Sequence, residues 1–81
     1  MEITKSNHYL RDLASLTQQD RERVESAVNI LPLGDIQKVQ GKKNAFRLRV
    51  GELRVIFDRY GKYIVLNSIS KRENTYGRRL K

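Results

Sequence analysis

The sequence predicts an α+β domain in which two N-terminal helices pack on a twisted antiparallel sheet of three to four strands. Three observations carry that expectation. Apolar residues recur at helical spacing as far as Leu31, and from Phe46 onward they alternate with polar residues at strand period. Between the two patterns lies Pro32-Leu33-Gly34, a stretch that ends a helix. Helices followed by a run of hairpin-connected strands is an α+β order.

Taken along the chain, residues 1–4 are a candidate short strand. Ser6 or Asn7 caps a first helix reaching Leu16, with Leu10, Leu13, Ala14 and Leu16 on its apolar side. Thr17 caps the second helix, and Asp20 three residues on makes a weak capping box. Val24, Ala27, Val28 and Leu31 then follow at i, i+3, i+4 and i+7, so the two helices form an αα-hairpin.

Phe46-Arg47-Leu48-Arg49-Val50 alternates strictly, and Leu53 to Phe57 does so with one apolar exception at Ile56. Gly51-Glu52 suits a two-residue loop with glycine first, the type II′ arrangement. That loop pairs Val50 with Leu53, Leu48 with Val55 and Phe46 with Phe57 on the core face. It sets Arg49 across from Arg54, and Arg47 across from Ile56, on the other face. A turn at Tyr60-Gly61 leads to a third strand, Lys62 to Ile69.

Eighty-one residues make one domain, divided as a helical hairpin (1–35), an antiparallel sheet (36–70) and a basic C-terminal segment (71–81). Such a chain buries only about 60% of the surface it exposes unfolded. With no cysteine, neither a disulfide nor a thiolate metal site supports it. Met1 to Leu10 holds no apolar leader, and no run approaches the roughly 20 apolar residues of a membrane span. The expectation is a soluble cytoplasmic protein without a membrane partner.

Seventeen Lys and Arg against nine Asp and Glu leave a net charge of +8, which attracts nucleic acid, acidic proteins or anionic membrane. Residues 1–35 are close to neutral, so the excess lies on the strand-bearing half. Like charges facing each other on a sheet are destabilising, so the fold has little structural reason to gather Arg47, Arg49 and Arg54 on one face. Arginine's planar donors match phosphate bidentately, and its charge does not titrate away. The segment Ser70-Lys71-Arg72-Glu73-Asn74-Thr75-Tyr76 adds two cations and a tyrosine.

The run from Phe46 to Phe57, with the spacing onward to Lys71-Arg72 and Tyr76, resembles the RelE/ParE toxins of toxin–antitoxin systems. The helical hairpin, the Leu31-Pro32 helix end and the Lys38 to Gly41 approach to the sheet extend the resemblance over nearly the whole chain. It implies two helices on a twisted sheet and, in the RelE branch, a toxin that enters the ribosomal A site and cuts mRNA there. It also implies a cognate antitoxin covering the basic face. The family's two basic residues of the first hairpin strand fall on Arg47 and Arg49, and that of the second on Arg54. Its arginine after the last strand falls on Arg72, and its C-terminal tyrosine on Tyr76. The implied roles are catalytic for Arg54, Arg72 and Tyr76. Arg47, Arg49, Lys71 and Lys43 would bind RNA, both mRNA and ribosomal RNA.

The implied reaction is attack of a 2′-hydroxyl on the adjacent phosphate, and it requires neither metal nor cofactor. Negative charge builds on the phosphoryl oxygens in the transition state, where fixed cations are most effective. Well-known family members carry lysines where this chain has Arg47 and Arg49. Arginine does not give up its proton, so these positions suit phosphate binding rather than general-base work.

Two alternatives remain open at this stage: a gyrase-directed toxin of the ParE branch, and a non-catalytic nucleic-acid-binding module. The first has no use for Arg54, Arg72 and Tyr76 together. The second is expected to show an aromatic pair on the outward sheet face, and none is apparent there. His8 alone defines neither a metal site nor a triad. Tyr9, Tyr60 and Tyr63 read as packing or turn residues.

Overall fold

The alternation around Gly51 generates the centre of the molecule. In the computed structural model, which describes residues 1–71, β3 (Ala45–Val50) and β4 (Leu53–Tyr60) pair antiparallel. Val50 stands opposite Leu53, Leu48 opposite Val55 and Phe46 opposite Phe57, the register the sequence predicts. Gly51 has φ +63°, as the first loop position of a type II′ turn requires, and among the described residues only glycines have positive φ. A side chain at this glycine would also put its Cβ 2.5 Å from the Arg23 guanidinium, which lies against the turn. Leu48, Val50, Leu53, Val55 and Phe57 are buried, while Phe46 is partly buried and stacks on Phe57 with centroids 5.7 Å apart.

β5 (Tyr63–Lys71) returns antiparallel to β4, starting one residue later and ending two residues further on than the alternation suggests. The pairing shifts between Ile56, opposite Ser68, and Phe57, opposite Leu66, so Asn67 is bulged out. Ile64, Leu66 and Ile69 complete the sheet's buried face.

Among the described residues the sheet has five strands rather than three or four, and it is mixed rather than antiparallel. Its order is β1-β5-β4-β3-β2. β1 (Glu2–Lys5) lies parallel to β5, and β2 (Ile36–Lys38) antiparallel to β3. Parallel pairing needs a crossover, and the helices α1 (Asn7–Ala14) and α2 (Gln18–Asn29) lie in the chain between β1 and the antiparallel strands. Ser6 joins strand to helix. Its N–H donates to Leu66 O at 3.0 Å, its hydroxyl donates to Asn67 O at 3.1 Å, and its Oγ accepts the Tyr9 N–H as the α1 N-cap. Where β1 ends, α1 takes over the edge of β5, and Asp12 Oδ2 accepts the Ile69 N–H at 2.9 Å.

Both helices bury one side against the sheet. Thr17 Oγ1 accepts the Asp20 N–H at the start of α2, as its capping pattern indicated, and Val24, Val28 and Leu31 are buried. α1 is turned differently from the expectation. Leu10 is 43% exposed and Ala14 is exposed, whereas Tyr9 and Leu13, one helical turn apart, are buried. Arg21 ties the helices together by donating to the carbonyls of Leu13 and Leu16. Among the described residues no helix is long and apolar enough to cross a membrane.

Candidate nucleic-acid interface

The helices cover one side of the sheet, and strand alternation turns Arg47, Arg49 and Arg54 to the other. Arg49 stands across from Arg54, and Arg47 across from Ile56. The face continues over β5, where Ser70 lies opposite Arg54 and Ser68 opposite Ile56. On the other flank β2 brings Gln37 opposite Arg47. Arg47, Arg49 and Arg54 line a hollow of about 50 Å³ with Asp35 and Gln37, small enough to suit a single phosphoryl group.

The arginines have polar partners on the protein. Arg47 Nη2 donates to Gln37 Oε1 at 2.8 Å, and Arg49 Nε donates to Asp35 Oδ2 at 3.0 Å. The sequence reading assigned no role to Asp35 or Gln37, because a three-residue strand carries no alternation to betray it. Their signal was position, an acceptor two residues apart from another and just ahead of a basic strand. They help explain how the fold tolerates like charges on neighbouring strands.

Of the residues singled out from the sequence, three come together here. Lys71 does not join them. It stands opposite Leu53, on the helix-side face, and borders a hollow of about 290 Å³ beside Asp12, Thr17 and Asp20. Lys43 is exposed in the loop between β2 and β3, at the far end of β3 from the Gly51 turn. Arg72 and Tyr76 lie outside the described residues.

One expectation about this face changes. An aromatic pair does occupy it, since Tyr60 stands opposite Tyr63 and both are about half exposed, at 50% and 53%. They flank the Gly61 turn, and the Tyr60 hydroxyl donates to Asp58 Oδ2 at 3.4 Å. The pair sits at the end of β4 away from Arg54, six residues distant, so it is not part of the arginine cluster.

Other candidate groups sit apart from this face. Tyr9 is buried under the helices, where burial, with the Glu25 carboxylate adding to it, pushes the hydroxyl pKa up to about 12. His8 is exposed on α1, with Nε2 3.5 Å from Asp12. Among the described residues no group of His, Asp or Glu has the arrangement of a metal site.

The sequence matches no protein-family model and no curated protein. Solved structures do match. A chain of the RelB–RelE antitoxin–toxin complex from Methanococcus jannaschii superposes with a TM-score of 0.75 at 23% identity, covering 93% of this chain and 96% of that one. The archaeal RelE–RelB complex from Pyrococcus horikoshii gives 0.74 at 22% identity, over 88% and 93%. YafQ from E. coli gives 0.72 at 16% identity, over 94% and 98%. At these identities the likeness is one of fold, and it spans nearly the full length of each partner.

Proposed function

We propose that this chain, built on the fold of the RelE-like toxins, is the toxin of a toxin–antitoxin pair and a ribosome-dependent endoribonuclease that cuts translated mRNA. The observation that carries the proposal is the gathering of Arg47, Arg49 and Arg54 on the sheet face opposite α1 and α2. Arg47 and Arg49 hold the RNA backbone from β3, and Arg54 faces them from β4. Salt-dependent binding follows, because each phosphate neutralised releases condensed counterions.

In the reaction the 2′-oxygen of one nucleotide bonds to the adjacent phosphorus and loses its proton. The bond from phosphorus to the 5′-oxygen of the next nucleotide breaks, and that oxygen is protonated. The products are a 2′,3′-cyclic phosphate and a free 5′-hydroxyl. Charge grows on the non-bridging oxygens during the step, and Arg54 with Arg72 stabilises it more than the ground state. Arginines do not serve as the base at this pH. Tyr76 is assigned proton handling or stacking on a base, by its match to the family's tyrosine.

The cognate antitoxin is the partner that masks this face, and mRNA in the ribosomal A site with its surrounding ribosomal RNA is the target. The test is to incubate purified toxin with programmed ribosomes and analyse the RNA ends. Cuts carrying 2′,3′-cyclic phosphate, lost in Arg54→Ala, support the proposal. Intact RNA together with inhibited gyrase would assign the chain to the other toxin branch.

A further inference from the structure

β2 and the residue just before it set an acceptor beside each arginine of β3, and the two acceptors differ in kind. Gln37 offers Arg47 a neutral amide oxygen, whereas Asp35 offers Arg49 a carboxylate. Asp35 is also fastened through its main chain, since its carbonyl accepts the Arg49 amide N–H at 2.9 Å. The carboxylate therefore stays on the platform even when the Arg49 side chain turns away. It lines the same hollow as Arg47 and Arg54, so it offsets one of three positive charges where a phosphate would sit.

We infer that Asp35 is a resident counter-anion of the arginine platform, one that an RNA phosphate must compete with for Arg49, and that it sets how tightly the face takes up RNA. The inference rests on the RNA-binding role proposed for this face. Two effects of the carboxylate oppose each other. Orienting Arg49 favours binding, but the side chains of the pair are 50% and 54% exposed, and an ion pair so exposed restrains a side chain weakly. A negative charge held beside an incoming phosphate disfavours binding, and the backbone clip keeps it there. The second effect is the larger. A chain of net charge +8 attracts polyanions of every kind. With Asp35 in place, a lone phosphate on Arg49 gains little, and only RNA that also engages Arg47 and Arg54 is held. Asp35 is thus a specificity-determining residue acting through Arg49, not a catalytic one.

The experiment titrates the full chain against a labelled single-stranded RNA oligonucleotide across a potassium chloride series. Wild type, Asp35→Asn, Asp35→Ser, Arg49→Ala, the Asp35→Asn/Arg49→Ala double variant and Arg54→Ala are compared, each with its melting curve. Asn retains an acceptor for Arg49 Nε without the charge, and Ser is a second neutral replacement should Asn fold poorly. Asp35→Asn is expected to bind about three- to tenfold tighter at low salt, the effect of removing one nearby charge in a partly screened site. Its log–log salt slope should steepen by about 0.7, the contribution of one further phosphate on a single strand. The gain should be clearly smaller when Arg49 is absent, because the competition for its guanidinium is then gone. Unchanged or weaker binding in both neutral variants would make Asp35 a strut and overturn the inference. So would a gain of undiminished size in the Arg49→Ala background, because the charge would then act without Arg49. If Arg54→Ala binds RNA as wild type does, the platform itself is misassigned, and that failure is distinguishable from the other two.

Discussion

Removing Arg47 or Arg54 should change the salt dependence of RNA binding by a calculable amount. Each side chain lines the hollow on the sheet face opposite α1 and α2, so under the proposed function each is expected to account for about one phosphate contact. On single-stranded RNA a contact contributes about 0.7 to the slope of log affinity against log salt. Raising salt from 50 to 200 mM is a fourfold change, so one contact alone amounts to about a 2.6-fold loss of affinity over that range. Arg47→Ala and Arg54→Ala should each flatten the slope by about that step, and together by about twice as much. Arg49→Ala should weaken binding further than either, because it leaves the Asp35 carboxylate facing the RNA without its partner. Lys38→Ala serves as the comparison. Lys38 is an exposed cation on β2 that stands opposite Phe46, on the other side of the strand from Gln37. Fluorescence anisotropy with a labelled oligonucleotide measures the four single variants and the double variant. Slopes that fall equally for Lys38→Ala and Arg54→Ala would refute the assignment, leaving only diffuse attraction by a basic protein.

Three further outcomes follow from the geometry. Tyr9 ionises near pH 12 in the folded chain and near 10 when unfolded, so its neutral form is the one the fold favours. Its contribution is intact below about pH 10 and is lost as pH rises from there toward 12, by at most about 2–3 kcal/mol. Denaturation curves for Tyr9→Phe should lack that share of the alkaline loss, and an identical loss in the variant would discount the buried hydroxyl. Gly51→Ala forces φ +63° on a residue with a Cβ and displaces Arg23, so it should destabilise by more than about 1 kcal/mol in denaturant midpoints. Cleavage on programmed ribosomes should persist when cobalt hexammine, whose inert ammine shell cannot ligate a phosphate oxygen, replaces most of the free Mg²⁺, as expected if the arginines supply the positive charge. Loss of that cutting would assign the charge stabilisation to a metal.

Local pattern carried the central hairpin and not its neighbours. Strict alternation from Phe46, broken by a glycine that tolerates positive φ, specifies both register and face, because a one-residue slip would invert every side chain. The same alternation places three arginines on one face. The rest depended on contacts distant in sequence. Glu2 pairs with Tyr63 across the whole helical hairpin, and nothing in Glu2–Lys5 records a parallel partner. β2 is three residues long, too short for a period to mark Gln37, and Asp35 lies just outside it, so only position ahead of β3 hints at the two acceptors. α1 has eight residues, and in so short a helix a one-residue choice of phase rotates the apolar side by about 100°. That is why Leu10 was placed inward when Tyr9 takes the position. Lys71 was grouped with the arginines by proximity in sequence to the C-terminal segment, and the extension of β5 by two residues puts it on the helix side.

The most direct measurement is induced expression of the wild type and of Arg54→Ala/Arg72→Ala, with mRNA ends mapped in translating cells. Growth arrest with cuts inside translated frames, both abolished in the double variant, is the outcome the ribosome-dependent nuclease requires. Arrest without RNA cuts, or cuts that persist in the double variant, would contradict it.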